Sequence, residues 1–258
     1  MLTIYHWEPN ANSGKPLLAA AEKGVAYESR YVDMLAFDHH QPAYLEINPR
    51  GTIPAMVHDG RSVAESTVMM EYIDMAFDGQ PLRPADPYER WRMRWWGRFL
   101  DQFIGPSVSQ FGWSLFVGPA VRTRDPEELK AAIDRIPMVE RQTAWRKAIY
   151  GLFSEEELAE SRRRVLLGVR MLEEALSDRP WIAGESYSLA DIAGFNMLAG
   201  VPALLPDAAS DATTPHLMEW LRKINERPAA RIIREHGRTP MMHRYIHLDR
   251  PQRGNADA

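Results

Sequence analysis

Cysteine is missing from all 258 residues of the chain. That excludes structural disulfides, thiolate metal sites and any catalysis that needs a protein thiol, including mixed-disulfide exchange with a thiol substrate. Long apolar runs are missing too. No stretch approaches the roughly 18 residues of a membrane-spanning helix, so no membrane partner is expected. Strongly basic segments are also lacking: the formal charge is -4, which makes nucleic acid an unexpected partner. Internal repeats and low-complexity tracts are absent as well. Met1 to Trp7 runs straight into a strand-like pattern, without a charged start, an apolar middle and a small-residue cleavage site, so a cytoplasmic protein is expected. His39 and His40 are adjacent but lack a third ligand at useful spacing, and no metal is expected.

What is present is ordinary globular material, 45% hydrophobic, in a length that suits one large or two modest domains. The most informative stretch runs from Asn48 to Ile73. Two short apolar runs flank Asp59-Gly60, the strongest local sign of a tight hairpin, so Ala55–His58 and Ser62–Ala64 are predicted as antiparallel strands. Pro54 stands at the entrance to the first of them, where its missing N–H does least harm and where its bond to Ile53 is a candidate for the cis form. A cis bond there would leave the backbone groups of Ile53 pointing outward, free to pair with an extended peptide. Glu65-Ser66 closes the second strand and opens a helix. Taken alone, Ser66 is a helix cap and Glu65 a complement to the dipole; a helix start of this kind also binds a carboxylate through its free N–H groups.

The order Asn48-Pro49-Arg50-Gly51, Ile53-Pro54, Asp59-Gly60 and Glu65-Ser66 before a helix resembles the glutathione site of glutathione S-transferases. The resemblance implies that the backbone of Ile53, before Pro54, pairs with the cysteinyl part of glutathione, and that Glu65 and Ser66 hold its γ-glutamyl end. Ser13 precedes Gly14-Lys15-Pro16 and a helical pattern ending at Gly24, and reads locally as a capping serine. The resemblance gives its hydroxyl a second role, donating to the glutathione sulfur, with Asn12 as another available donor. It also implies that Phe37 to Ile47, which reads as a short irregular helix, reaches the glycyl carboxylate of glutathione, with His40 making the contact.

The rest of the chain divides clearly. Leu2–His6 and Val25–Val32 are predicted as a parallel strand pair around the first helix. Three prolines and a glycine between Asp78 and Pro87 mark a linker, placed at 78–86. From Pro87 the pattern is helical. Trp91, Trp95, Phe99 and Phe103 recur every four residues, as core or as a dimer contact. Gly105-Pro106 is expected to kink or end that helix, and Val117 to Tyr150, with Pro119, Pro126 and Pro137, reads as a long connection that shapes a binding site or merely decorates the surface. Ser154–Leu176 is predicted as a helix. Ser188 and Asp191 stand in capping-box spacing before another, and Thr214–Asn225 and Pro228–His236 read as the last two. The expected fold is that of the glutathione S-transferases: an α/β thioredoxin-like domain over 1–77 and an all-α domain over 87–250, followed by a mobile tail at 251–258.

Beyond the general family, most of the chain is similar to bacterial glutathione-dependent β-etherases that break lignin-derived β-aryl ethers, of the type acting on the β(S) stereoisomer. The similarity rests on Ala11-Asn12-Ser13, Lys15-Pro16-Leu17, Ile47 to Gly51, His58-Asp59-Gly60, Glu65-Ser66-Thr67, Leu82 to Pro87, Trp113, Trp145-Arg146 and Tyr187 to Asp191. It implies glutathione as co-substrate, an α-keto β-aryl ether as partner in the reaction, and a homodimer. Thiolate attack on the β-carbon would release a phenol such as guaiacol, with Phe111, Trp113, Phe116 and Trp145 holding the two rings. A general glutathione S-transferase for electrophilic aromatics and a non-catalytic glutathione carrier remain as alternatives, and the residues by themselves do not set the handedness of the substrate.

Overall fold

The structure is a computed structural model that describes residues 1–239 and Leu248. The predicted mobile tail at 251–258 lies outside the described residues.

The N-terminal part is built on a four-stranded sheet in the order β2-β1-β3-β4. β1 (Leu2–His6) turns Leu2, Ile4 and His6 inward. It pairs in parallel with β2 (Tyr27–Tyr31), from Leu2 opposite Tyr27 to His6 opposite Tyr31. The β2 expectation was two residues too long at its start and one at its end, because this largely exposed edge strand begins only where β1 offers partners. β3 (Ala55–His58) runs antiparallel to β1, and β4 (Arg61–Ala64) returns beside β3 with His58 opposite Arg61. Asp59 and Gly60 both take positive φ (48° and 78°), as a two-residue hairpin loop requires. The Ile53–Pro54 bond is cis.

Helix α1 (Gly14–Glu22) crosses between β1 and β2; a 3₁₀ turn (Asp38–His40) and α2 (Pro42–Leu45) lead towards β3, and α3 (Ser66–Ala76) follows β4. Gly14 is obligatory: a Cβ there would lie 1.8 Å from Asn196 Oδ1 and 2.0 Å from the Pro9 carbonyl. The start of α1 is thereby pressed against a helix of the C-terminal half.

After Pro87 the chain is helical almost without interruption. α4 (Pro87–Phe99) is capped by Asp86, whose carboxylate accepts from the N–H groups of Tyr88 and Glu89. Gly105-Pro106 does not end this run. The N–H of Gly105 bonds five residues back to Leu100, giving a widened turn over Leu100–Ile104 before α5 (Gly105–Gly112). The same device recurs over Trp113–Val117, just ahead of Gly118-Pro119 and α6 (Gly118–Arg122). A proline deprives the helix of one N–H and crowds the preceding turn, and a π-type turn makes room for both.

The reading of Val117 to Tyr150 as a long connection is likewise corrected: it folds as α6, α7 (Pro126–Asp134) and α8 (Val139–Tyr150). Pro126 is the first residue of α7, behind an Asp125 cap that accepts from Glu127 and Glu128. Pro is well suited to that position, so the residue that read as a breaker is a start signal. These helices enclose a small core of their own around Trp145, Val117, Val121, Leu129 and Ile133, joined by Trp7 and Phe37 from the N-terminal part.

α9 (Glu155–Leu176) opens with a capping box between Ser154 and Glu157, and α10 (Leu189–Leu198), buried along its whole length, with one between Ser188 and Asp191. α11 (Val201–Leu204), α12 (Pro215–Asn225) and α13 (Pro228–Arg234) complete the described helices. No helix among the described residues is long and apolar enough to cross a membrane. Of the aromatic stripe, Trp91 and Trp95 are surface residues, 53% and 40% exposed, while Phe99 and Phe103 are half-buried. Trp95, Phe99 and Phe103 stack successively at 5.3 and 5.0 Å.

Candidate active site

A cavity of about 980 Å³ lies between the two halves. One wall comes from the N-terminal part, through Asn12, Ser13, His39, His40, Ile53, Glu65 and Ser66; the opposite wall comes from the helices, through Gly97, Asp101, Gln110, Trp113, Arg141 and Trp145. The floor includes Leu189, Ala190 and Ala193 at the start of α10. The size suits a peptide-sized ligand together with a small aromatic one.

Ser13 precedes α1 but does not cap it; its side chain makes no capping bond. Instead the Ser13 oxygen accepts the N–H of Trp7 at 3.0 Å, and the side chain is buried. An accepted hydrogen bond polarises the hydroxyl and leaves its proton to be donated into the cavity. Asn12 accepts from the Ser66 hydroxyl at 3.4 Å, which links the two helix starts. Ser66 is the first residue of α3, and no side chain caps this helix either. The residue before it, Glu65, sits at φ 69°, a conformation that costs a non-glycine residue on the order of 1 to 3 kcal/mol and points to a functional constraint. Its carboxylate pairs with Arg50 at 2.8 Å. Ser66, Thr67 and Val68 all border the cavity, so the free N–H groups and positive end of α3 face a prospective anion. Ile53 makes no backbone hydrogen bond with any described residue, and the β1–β3 ladder ends at Tyr5 opposite Ala55.

Of the four aromatic residues expected to grip substrate, the structure brings Trp113 and Trp145 to the cavity. Phe111 and Phe116 do not line it: Phe111 packs on the main core, and Phe116 is half-buried away from the cavity. They follow one another on a helix whose register is displaced by the widened turn at Trp113–Val117, so closeness in sequence did not carry over into a shared face. Trp145 itself is only 1% exposed and packs at tilted angles against Phe37 (4.5 Å) and Trp113 (4.7 Å), so it serves as wall as much as contact surface.

Sequence reasoning missed Lys15, Thr67, Asp101 and Arg141. Lys15, fully buried, pairs with Asp101 and reaches the Thr67 hydroxyl at 3.5 Å, while Thr67 donates to Asp101 at 2.6 Å. Burial lowers the Lys15 pKa and the Asp101 carboxylate opposes that shift. This cluster ties α1 and α3 to the first widened turn behind the cavity. Its members are 34 to 86 residues apart, and no local pattern announces it.

His39 and His40 are buried side by side, with ring centroids 3.7 Å apart. Burial, then its neighbour His40, then Arg141 hold His39 at about 2; burial, with Arg135 and Arg141, holds His40 at about 4 despite the opposing Gly51 backbone. His6, buried beneath the sheet, is likewise held at about 4 by burial first. All three are neutral at pH 7. Among the described residues no group of three or more His, Cys, Asp or Glu side chains is arranged to hold a metal.

These shifts set a pH dependence. A histidine whose folded pKa is depressed below 6.5 contributes stability that is complete above 6.5 and is lost as pH falls towards the folded value. Asp191, raised from 3.8 to about 6 by burial, works in the opposite direction over the same interval. Between pH 6 and 4 the three histidines outweigh Asp191, so unfolding free energy is expected to fall steadily as pH drops, by on the order of 2 to 3 kcal/mol per pH unit. Urea midpoints at a series of pH values measure this; a flat profile from pH 6.5 to 5 would contradict it.

The comparisons with known proteins agree with this architecture. Residues 11–76 match the family model for the glutathione S-transferase N-terminal domain, and residues 106–228 match that for the glutathione S-transferase C-terminal domain. The chain belongs to the glutathione S-transferase family. Within it, the chain is 39% identical over 234 residues to protein LigF of Sphingobium sp. (strain SYK-6), covering 88% of this chain and 91% of that one. The crystal structure of β-etherase LigF from Sphingobium sp. strain SYK-6 superposes with a TM-score of 0.88 at 38% identity, over 92% of this chain and 99% of the other. Similarity to glutathione S-transferase U26 of Arabidopsis thaliana is lower, 26% identity covering 88% of this chain and 86% of that one.

Proposed function

We propose that the chain is a cytoplasmic, glutathione-dependent β-etherase that cleaves lignin-derived α-keto β-aryl ethers. The observation that carries the chemistry is the Ser13 hydroxyl, its oxygen held by the Trp7 N–H, opening into the same cavity as the unpaired Ile53 backbone and the uncapped start of α3. Glutathione supplies the sulfur nucleophile that this cysteine-free chain lacks. In this reading Ile53, beside Pro54, pairs with the cysteinyl backbone, Glu65 and Ser66 hold the γ-glutamyl end, His40 borders the glycyl end, and Ser13 with Asn12 donates to the thiolate.

Sulfur attacks the β-carbon from the side opposite the ether oxygen. A C–S bond forms as the C–O bond breaks, its electron pair leaves on the phenoxide, and water protonates that product. The adjacent ketone activates the carbon, and a phenol with a pKa of about 10, judged from tyrosine, is a competent leaving group. Trp113 and Trp145 provide the aromatic wall for the rings. The exposed Trp91 and Trp95 fit a homodimer contact.

The test is to incubate each enantiomer of a chromogenic α-keto β-aryl ether with glutathione and follow phenol release. Release from one or both supports the reading. No release from either, together with rapid conjugation of a chloronitrobenzene, would replace it with a general transferase.

A further inference from the structure

The cavity residues supplied by α5 and the turn after it share one helical face. Pro106, Ser109, Gln110 and Trp113 all border the cavity, at the three- and four-residue spacing that stacks side chains along one side of a helix. This face starts beside the floor. A Cβ on Gly105 would lie 3.3 Å from the sulfur of Met197 on α10, and α10 also presses Asn196 against Gly14, next to Ser13. Gln110 comes five residues after Gly105, about 7.5 Å along the axis, and one turn before Trp113. A substrate that reaches from the thiolate beside Ser13 to the aromatic wall runs past it.

The Gln110 amide is held from behind. Ser161, buried on α9, donates its hydroxyl to Gln110 Oε1, which leaves the two N–H donors of Nε2 without a partner among the described residues. This nitrogen is not sealed in, as the unpartnered Nδ1 atoms of His39 and His40 are, and it belongs to a half-buried residue of the cavity wall. Other polar groups nearby are disposed differently. Asp101 and Glu157 are acceptors paired with Lys15 and Lys147. Gln102 is exposed and anchored by Arg98, itself exposed, and Ser109 is exposed as well.

We infer that Gln110 is a catalytic residue whose Nε2–H donates a hydrogen bond to the ketone oxygen of the ether substrate. The inference rests on the etherase reading above and adds the group that acts on the carbonyl. As the C–S bond forms and the C–O bond breaks, the electron pair leaves on the phenoxide, and the adjacent carbonyl oxygen takes up part of the charge gathering at the β-carbon. A donor at that oxygen therefore binds the transition state more tightly than the ground state. The amide keeps its proton throughout. Because Ser161 fixes the side chain beforehand, the donor needs no reorientation during the reaction.

The experiment compares the full wild-type chain with Gln110→Leu and Gln110→Glu, which both remove the donor, and with Ser161→Ala, which frees it. Phenol release at saturating glutathione is followed for a series of α-keto β-aryl ethers whose phenols differ in acidity. Both Gln110 variants are expected to lower kcat about 10- to 100-fold, less than the loss of a full oxyanion donor because the ketone oxygen carries only part of the charge. Glutathione affinity by calorimetry is expected to stay at the wild-type value, and the loss to be the same for every phenol. The second readout is the infrared carbonyl stretch of an isotope-labelled, uncleavable analogue, with a methylene in place of the ether oxygen, bound together with glutathione. Wild type is expected to hold this stretch at lower wavenumber than either Gln110 variant, with Ser161→Ala between them in stretch and in kcat. An unchanged kcat, or a lowered kcat with an unmoved stretch, would overturn the inference. A loss that grows with the pKa of the phenol would overturn it too, by placing the donor at the ether oxygen. Wild type releasing no phenol at all would overturn the etherase reading and this inference with it.

Discussion

Ser13→Ala is expected to lower turnover of the ether at pH 7 by about 10- to 100-fold while leaving the affinity for glutathione close to wild type. A hydrogen bond from a hydroxyl to an anion contributes about 1.5 to 3 kcal/mol, which corresponds to about one to two pKa units of the bound thiol. A free thiol with a pKa of about 8.5 is only a few per cent ionised at pH 7, so such a shift separates a mostly ionised nucleophile from a mostly protonated one. Ser13 is built for this: Trp7 N–H occupies its oxygen at 3.0 Å, so the hydroxyl proton is the group left to offer. Binding should persist because Ile53, Glu65 and Ser66 are untouched. The measurement is the ultraviolet absorbance of bound thiolate against pH, with the pH–rate profile beside it. In the variant both should move to higher pH and the rate should recover in alkaline buffer. Asn12→Ala run in parallel apportions the effect, and an unshifted titration in Ser13→Ala would remove the serine from the mechanism.

Asp191→Ala is expected to produce the largest loss of stability of any single substitution considered. The carboxylate is completely buried and accepts four hydrogen bonds, from Ile182 N–H (3.0 Å), Ser188 N–H (2.9 Å), the Ser188 hydroxyl (3.0 Å) and Trp220 Nε1–H (2.9 Å). Alanine strands all four donors away from water, a loss of about 3 to 5 kcal/mol, or about 10 °C in melting temperature for a chain of this size. The consequence reaches the cavity, since Leu189, Ala190 and Ala193 of the helix it caps form part of the floor. Differential scanning calorimetry reads the melting temperature, and a fall of under 2 °C would show that water or a rearranged loop replaces the acceptor. Residual activity at low temperature should be substantial, because Asp191 itself does not line the cavity.

Local signals were legible wherever a short chemical pattern fully specifies a geometry. Asp59-Gly60 allows a two-residue hairpin and little else; Ser154 with Glu157 and Ser188 with Asp191 announce helix starts; Pro54 before a strand marks where the ladder stops. The error over Val117 to Tyr150 came from reading its prolines as breakers, whereas at Gly105-Pro106 the sequence left a kink or an end open and the helical run does not end. Pro106 and Pro119 are carried inside continuous helical runs by widened turns, and Pro126 opens a helix. A proline removes one N–H and fixes one φ, and whether that ends a helix depends on whether the surrounding packing holds the turn open.

The sequence by itself determined the order of elements, the absence of a protein thiol, the hairpin between Ile53 and Glu65-Ser66, and the resemblance that assigns these residues to glutathione. Only the tertiary structure decided which side chains share the cavity. It joined Lys15 to Asp101 across 86 residues, kept Trp113 and Trp145 on the wall while turning Phe111 and Phe116 elsewhere, and set Arg141 beside His39 and His40. The physical reason is that capping and turn geometry are settled within a few residues, whereas burial, charge pairing and the facing of a helix depend on how α1, α3, α5 and α8 pack against one another.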